Sequence, residues 1–169
     1  MPAKHADPHI LVLPARKMAV VTTIGDPAVV GPEVMPALYG AVYTLKFARK
    51  KAGGGAFTVE PLRARWPDAH RKPKTAWTGI WALPIPDDVE ALPQKVPGVD
   101  VRVETWTYGT VAQLLHLGPF SAEGPTVARL HAFIEAQGYV ITGPHEEEYL
   151  TRPDPKAQKT IIRYQVGTR

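Results

Sequence analysis

The sequence predicts an α+β domain in which a strand–helix–strand–strand unit occurs twice, the halves forming an antiparallel sheet with two main helices and a central ligand cleft. Three observations predict it. Short apolar runs alternate with polar residues and are bounded by Gly and Pro; two longer stretches, ending near 52 and 137, carry helical spacing; each of these follows one such run and precedes two more. Two units of this kind bury their helix faces on a shared sheet and leave a concave space for a ligand.

Residues 18–24 alternate as a strand, and Gly25-Asp26-Pro27 ends it with turn chemistry. In the helical stretch that follows, Pro36 is expected in the first turn, where its missing N–H does no harm, and Leu38, Val42 and Leu45 form the core-facing stripe. Lys46, Arg49, Lys50 and Lys51 gather at its C-terminal end, which suits the negative pole of the dipole, and Gly53-Gly54-Gly55 stops it. Residues 57–62 and 75–83 read as strands separated by a polar loop over 66–74; 84–100 link the halves, and 101–107 form an extra strand or hairpin arm. The second half opens with a strand over 110–117 and a Gly118-Pro119 turn. A helix over 121–137 follows, with Ser121 near its cap, Pro125 in its first turn, Gly138 as its stop, and Val127, Leu130 and Ile134 as its core stripe. Strands over 145–150 and 160–166 close it. The expected organisation is an N-terminal extension, 1–15, and one domain, 16–169, with repeat halves of about 16–85 and 101–169.

A chain of 169 residues that is 44% hydrophobic buries enough surface to need neither disulfide nor metal, and with no cysteine it excludes thiolate zinc sites and cysteine nucleophiles. The net charge of +4 comes from basic residues clustered in the loops at 49–51 and 71–74, which reads as solvated surface, so no nucleic-acid partner is expected. The N-terminus lacks the apolar core of a signal peptide and no run approaches the roughly 20 apolar residues that span a bilayer, so a cytoplasmic protein without a membrane partner is expected.

Chemistry is expected at three places. Strand alternation puts Trp77, Gly79 and Trp81 on one face, so that a planar molecule could lie over Gly79 between two indoles; core packing is the competing reading. Tyr39, Tyr43 and Phe47 repeat at i, i+4 as an aromatic stripe on the first helix, with core packing again the alternative. In His145-Glu146-Glu147-Glu148-Tyr149-Leu150, alternation separates Glu147 and Tyr149 from Glu146, Glu148 and Leu150. With Leu150 marking the helix-packed face, Glu147 and Tyr149 look into the cleft; an exposed acidic strand end is the rival. A carboxylate among aromatic rings can attract a delocalised cation, or, desolvated, take a proton from water as general base. His116 reads as a hydrogen-bonded structural residue, and His145 with Glu147 lacks the spacing of a helical zinc pair, so no metal and no cofactor is expected. Gly53-Gly54-Gly55 lacks the lysine of a phosphate loop, and no serine, Ser121 included, sits in a nucleophile elbow.

Several ordered motifs resemble the GyrI-like small-molecule-binding proteins in their stand-alone form: Gly25-Asp26-Pro27, LYGAVYTLKF, FTVEPL with Trp66 after it, Trp77-Thr78 leading to Pro86-Asp87, LLHLGPF, ARLHAFIEAQGY, EEEYL and KTIIRYQV. The resemblance covers nearly everything after the first fifteen residues. It implies the repeat fold read above, an architecture shared with SOUL-like domains, and the binding of bulky aromatic, often cationic compounds by a central glutamate and surrounding aromatics. The matching positions are Glu147, Tyr149, Tyr43, Trp66 and Trp77, beside which Trp81, Tyr39 and Tyr108 are the further ligand-binding candidates. Some stand-alone relatives are hydrolases that open the cyclopropane of DNA-alkylating antibiotics and so detoxify them, which would make Glu147 the base and Tyr43 or Tyr149 the hydrogen-bond donor. Others inhibit gyrase, a role that the positive charge disfavours, or act as effector domains of regulators. The chain departs from its relatives at Glu148, at Arg63-Ala64-Arg65 and at Tyr108.

Overall fold

The computed structural model describes residues 7–151 and 158–169. In chain order its elements are β1 (His9–Leu13), β2 (Arg16–Ile24), α1 (Pro27–Lys51), β3 (Arg63–Trp66), β4 (Thr78–Pro84), β5 (Arg102–Trp106), β6 (Gly109–Leu117), α2 (Glu123–Ala136), β7 (Tyr139–Ile141), β8 (His145–Tyr149) and β9 (Lys159–Thr168). They fall into two compact units, a central one over Ala15–Thr107 and a terminal one that joins the first strand to Tyr108–Arg169. Each holds one strand–helix–strand–strand repeat: β2-α1-β3-β4 in the central unit, β6-α2-β8-β9 in the terminal one.

In the central unit the antiparallel strand order is β3-β4-β2-β5. Asp26 caps α1 by accepting from the Ala28 N–H at 3.0 Å, and Pro27 fills the first helical position, so the helix starts at the Gly25-Asp26-Pro27 turn itself. Pro36, expected in the first turn, lies inside the helix with Pro32. Leu38 and Val42 are fully buried, as their stripe requires. At the far end Gly53, at φ 76°, and Gly54 return their N–H groups to Lys50 and Arg49, which satisfies two terminal carbonyls. The strand expected over 57–62 does not form: Pro61 can donate nothing to a ladder, and pairing begins at Arg63.

In the terminal unit the order is β1-β6-β9-β8, with β7 on the far end of β9. The expected N-terminal extension is thus corrected: residues 9–13 are an edge strand in register with β6, His9 opposite Gln113 and Leu13 opposite Gly109, while residues 1–6 lie outside the described ones. Ser121 does not cap α2, which begins at Glu123 after a 3-10 turn over Phe120–Ala122. Leu130 and Ile134 of α2 join Ala112, Leu114, Ile162, Tyr164 and Val166 in one buried cluster. Directly paired residues of an antiparallel ladder share a face, so the pairs Ala112 with Tyr164 and Leu114 with Ile162 define the face that α2 covers. Among the described residues, no helix is long and apolar enough to cross a membrane.

Candidate functional site

Glu147 pairs with Ile162 in the β8–β9 ladder and therefore lies on the face covered by α2. This corrects the sequence assignment, which took Leu150 as the marker of that face. Leu150 lies beyond the strand and is 37% exposed, so it reports no face at all. His145, Glu147 and Tyr149 share the α2 side by alternation. The Tyr149 hydroxyl donates to Glu147 Oε1 at 2.9 Å, and His145 Nε2 donates to Oε2 at 2.8 Å. His145 Nδ1 and the Tyr164 hydroxyl share a hydrogen bond of 2.6 Å. The Tyr164 ring in turn meets His131 of α2 edge-on at 5.0 Å, and Phe120 meets Tyr149 at 5.6 Å.

Sequence reasoning missed the most consequential neighbour, Glu123, in the first turn of α2. Donor atoms of Glu123, His145 and Glu147 all lie within 4.8 Å of one another. Burial, then the hydrogen bond shared with Glu147 and the Glu147 charge, push the Glu123 carboxyl up to about 9. Burial also works to raise Glu147, but the hydrogen bond from His145, the one shared with Glu123, the imidazole charge and the Tyr149 phenol outweigh it and hold Glu147 below the ordinary glutamate value. Two carboxyls thus share a proton, the lower-lying one ionised at 6% exposure. Burial and the two carboxyl charges raise the Tyr164 phenol; burial and His145 lower His131. These three donor side chains are a set that could hold a divalent ion, although hydrogen bonds already occupy His145 Nε2 and both Glu147 oxygens.

On the opposite face, Glu146 pairs with Arg163, whose guanidinium donates to Glu146 Oε2 at 2.7 Å, Gln113 Oε1 at 2.8 Å and Glu148 Oε1 at 3.1 Å. Glu148, where the chain departs from its relatives, therefore faces Arg163 and not the α2 side that holds Glu147. Tyr108, expected beside the ligand, is 4% exposed and donates to Glu146 Oε2 at 2.9 Å, so it belongs to this ion-pair network on the face away from Glu147. His116, expected to be structural, is buried and bonds Thr126 Oγ1 at 2.7 Å and the Pro119 carbonyl at 2.9 Å.

The aromatic candidates of the central unit form a group of their own. Trp66 lies edge-on to Trp81 at 5.1 Å and tilted to Trp77 at 5.9 Å; Trp81 Nε1 donates to Thr23 Oγ1 and Trp77 Nε1 to the Lys72 carbonyl, both at 2.9 Å. The expected slot above Gly79 does not exist. A Cβ there would lie 2.9 Å from Thr23 Oγ1, 2.9 Å from Trp81 Nε1 and 3.0 Å from Trp66 Cζ3, so the protein's own indoles fill the space. An open apolar groove of about 560 Å³ lies instead beside Trp81, lined by Tyr39, Met35, Pro32, Pro36 and Leu62. The internal prolines of α1 face it. Tyr39 stacks on Tyr43 at 6.4 Å and its phenol is raised by burial and by Tyr43; Tyr43 is 41% exposed, and Phe47 beyond it 60%. The Arg65 guanidinium stacks on Trp106 at 3.9 Å, on the sheet face away from Trp66 and Trp81, so the arginines of β3 leave the indole wall intact. Thr78 N–H and Oγ1 hold Asp68 at 2.8 and 2.7 Å and bring it down to about 2, which pins the loop beneath Trp77.

A repeat fold, a buried carboxylate ringed by phenols and imidazoles, and an apolar groove beside a tryptophan are the features of a small-molecule-binding domain. The chain belongs to the GyrI-like family, whose description is GyrI-like small molecule binding domain and whose sequence model matches residues 6–166. It is similar to an uncharacterized conserved protein from Listeria innocua, with 29% identity, a TM-score of 0.85, and coverage of 98% of this chain and 94% of that one. It is also similar to a protein from Listeria innocua described as a hydrolase, with 28% identity, a TM-score of 0.82 and the same coverage. The C-terminal domain of EcmrR shares the fold at 14% identity, with a TM-score of 0.69 over 96% of this chain and 98% of that one. No curated protein matches the chain.

Proposed function

We propose that this domain binds bulky, planar aromatic molecules, cationic ones above all, with Glu147 as counter-charge and the Tyr149, Tyr164 and His145 rings around it as the aromatic surround. The carrying observation is Glu147 itself. It is buried and ionised, and its partners among the described residues are Tyr149, Glu123 and His145, of which the imidazole is the one group able to offset its charge, with no lysine or arginine among them. A delocalised cation suits such a site, because surrounding rings add about 0.5–2 kcal/mol each once water is excluded. Titration with a rhodamine dye, followed by fluorescence, tests this. Glu147→Gln is expected to weaken binding by at least several-fold, and an unchanged affinity refutes the counter-charge role.

A second reading, hydrolysis, is favoured by the two carboxyls whose proton affinities are pushed apart, the arrangement that separates a base from an acid. It is supported by the relative described as a hydrolase. Here Glu147 takes a proton from water, the oxygen attacks the strained carbon of a cyclopropanoid alkylator, and the opening ring's electrons reach a carbonyl that Tyr149 hydrogen-bonds as it becomes a phenolate. Incubation with such a compound should give the water adduct by mass spectrometry, with Glu147→Gln at the buffer rate. No adduct above buffer refutes hydrolysis of that compound and leaves the binding titration to stand alone.

A further inference from the structure

The two oxygens of Glu147 are committed, one to Tyr149 and one to His145. Glu123 Oε1 is different: it is buried and accepts no hydrogen bond. A buried carboxyl oxygen without a donor is unfavourable, so this atom is an acceptor held ready for something the chain does not supply. The titratable groups that face it are His145 and Glu147 from β8 and Tyr164 from β9, with Tyr149 of β8 against Glu147 and His131 of α2 against His145 and Tyr164 one contact further out. None is a lysine or arginine. His145 bonds Glu147, while burial and the Glu147 charge keep a proton on Glu123, and that proton is what an incoming cation must replace.

We propose that Glu123, paired with Glu147, selects aromatic cations that carry an N–H donor, such as protonated heteroaromatic amines and amidines, over cations of equal charge and shape that lack one. This rests on the counter-charge reading of Glu147 and adds a specificity-determining residue to it. On binding, the ligand N–H donates to Glu123 Oε1, the proton held between the carboxyls leaves to solvent, and the pair becomes doubly negative around a cation. One proton is released for each ligand bound. A fully alkylated cation balances charge but leaves Oε1 without a donor.

Acridine orange and its 10-methyl derivative separate the two cases, because they share rings and charge and differ by an N–H against an N–CH3. Fluorescence titration should show the full chain preferring acridine orange by about tenfold, the worth of one charge-assisted hydrogen bond. Glu123→Ala should bring the two dyes near parity. Calorimetry in two buffers of different ionisation heat should report about one proton released by the parent chain, and none by Glu123→Gln, which keeps the side-chain volume should the alanine variant fold poorly. Equal binding of both dyes to the parent chain, a preference that survives in Glu123→Ala, or binding without proton release overturns the proposal. Failure of both dyes to bind overturns the counter-charge reading beneath it.

Discussion

Replacing Glu123 by Gln should flatten the dependence of stability on alkaline pH. The Glu123 carboxyl rises from 4.5 in the unfolded chain to about 9 in the fold, burial first and Glu147 second. Between those values the folded protein keeps a proton that the unfolded chain has lost, so unfolding releases a proton and stability falls as pH rises, by at most about 1.4 kcal/mol per pH unit. Glu147 works in the other direction: its lowered carboxyl adds stability that is present above the ordinary glutamate value and lost as pH falls below it. Over pH 7 to 8.5 Glu147 is ionised in both states and contributes no slope, and His131, lowered by burial and by His145, has lost its proton in both states. That window isolates Glu123. The full slope gives about 2 kcal/mol, and partial solvent screening reduces it to about 1 kcal/mol. Urea titrations at several pH values, with constant m, measure it; the parent chain should lose this amount and Glu123→Gln almost none. Curves that run parallel across the window, within about 0.3 kcal/mol, would refute the shared proton and with it the acid–base asymmetry of the site.

Two further outcomes test the surroundings. Arg163→Met strips a 2%-exposed Glu146 of its guanidinium partner, so urea unfolding should show a loss of about 3–5 kcal/mol, part of it recovered when Glu146→Gln removes the stranded charge as well. Gly79→Ala places a methyl against Thr23 Oγ1, Trp81 Nε1 and Trp66 Cζ3, so it should destabilise the fold by about 1–3 kcal/mol and change the near-ultraviolet circular dichroism of the indoles; an unchanged spectrum contradicts the filled space above Gly79.

The repeat was legible because its signals are local. Alternation found β2, β4, β6, β8 and β9 to within a few residues, and the turn at Gly25-Asp26-Pro27 marked the start of α1, even though Pro36 drew the expected first turn nine residues later. Strand 57–62 misled because Phe57, Val59 and Pro61 alternate in hydropathy, a pattern that is silent about the N–H that Pro61 lacks. Residues 9–13 looked like an extension since nothing local in them announces a partner about a hundred residues away, at Gln113. Trp77, Gly79 and Trp81 suggested an open slot because alternation reports which side a residue occupies; whether Trp66, eleven residues before Trp77, lies across that side is decided by the fold of the intervening loop.

The carboxyl pair was closer to legible than any of these. Glu123 stands four residues before Val127, seven before Leu130 and eleven before Ile134, so it continues the core-facing stripe of α2 toward its N-terminus. An acid in a first helical turn is ordinarily explained by the helix dipole and passes without remark. An acid on the core stripe is a different object, for it is aimed at the sheet. Strand alternation had already isolated Glu147 from Glu146 and Glu148, and the missing step was the face. Leu150, beyond the last paired residue, sent Glu147 to the side away from the helix. Had the face been read from Ile162 and Tyr164, whose apolar run in β9 must meet α2, Glu147 would have fallen under the same helix stripe as Glu123. Two acids on facing surfaces of one apolar core cannot both stay charged without a cation or a proton between them, and from that constraint both the displaced proton affinities and the demand for a hydrogen-bonding cation follow.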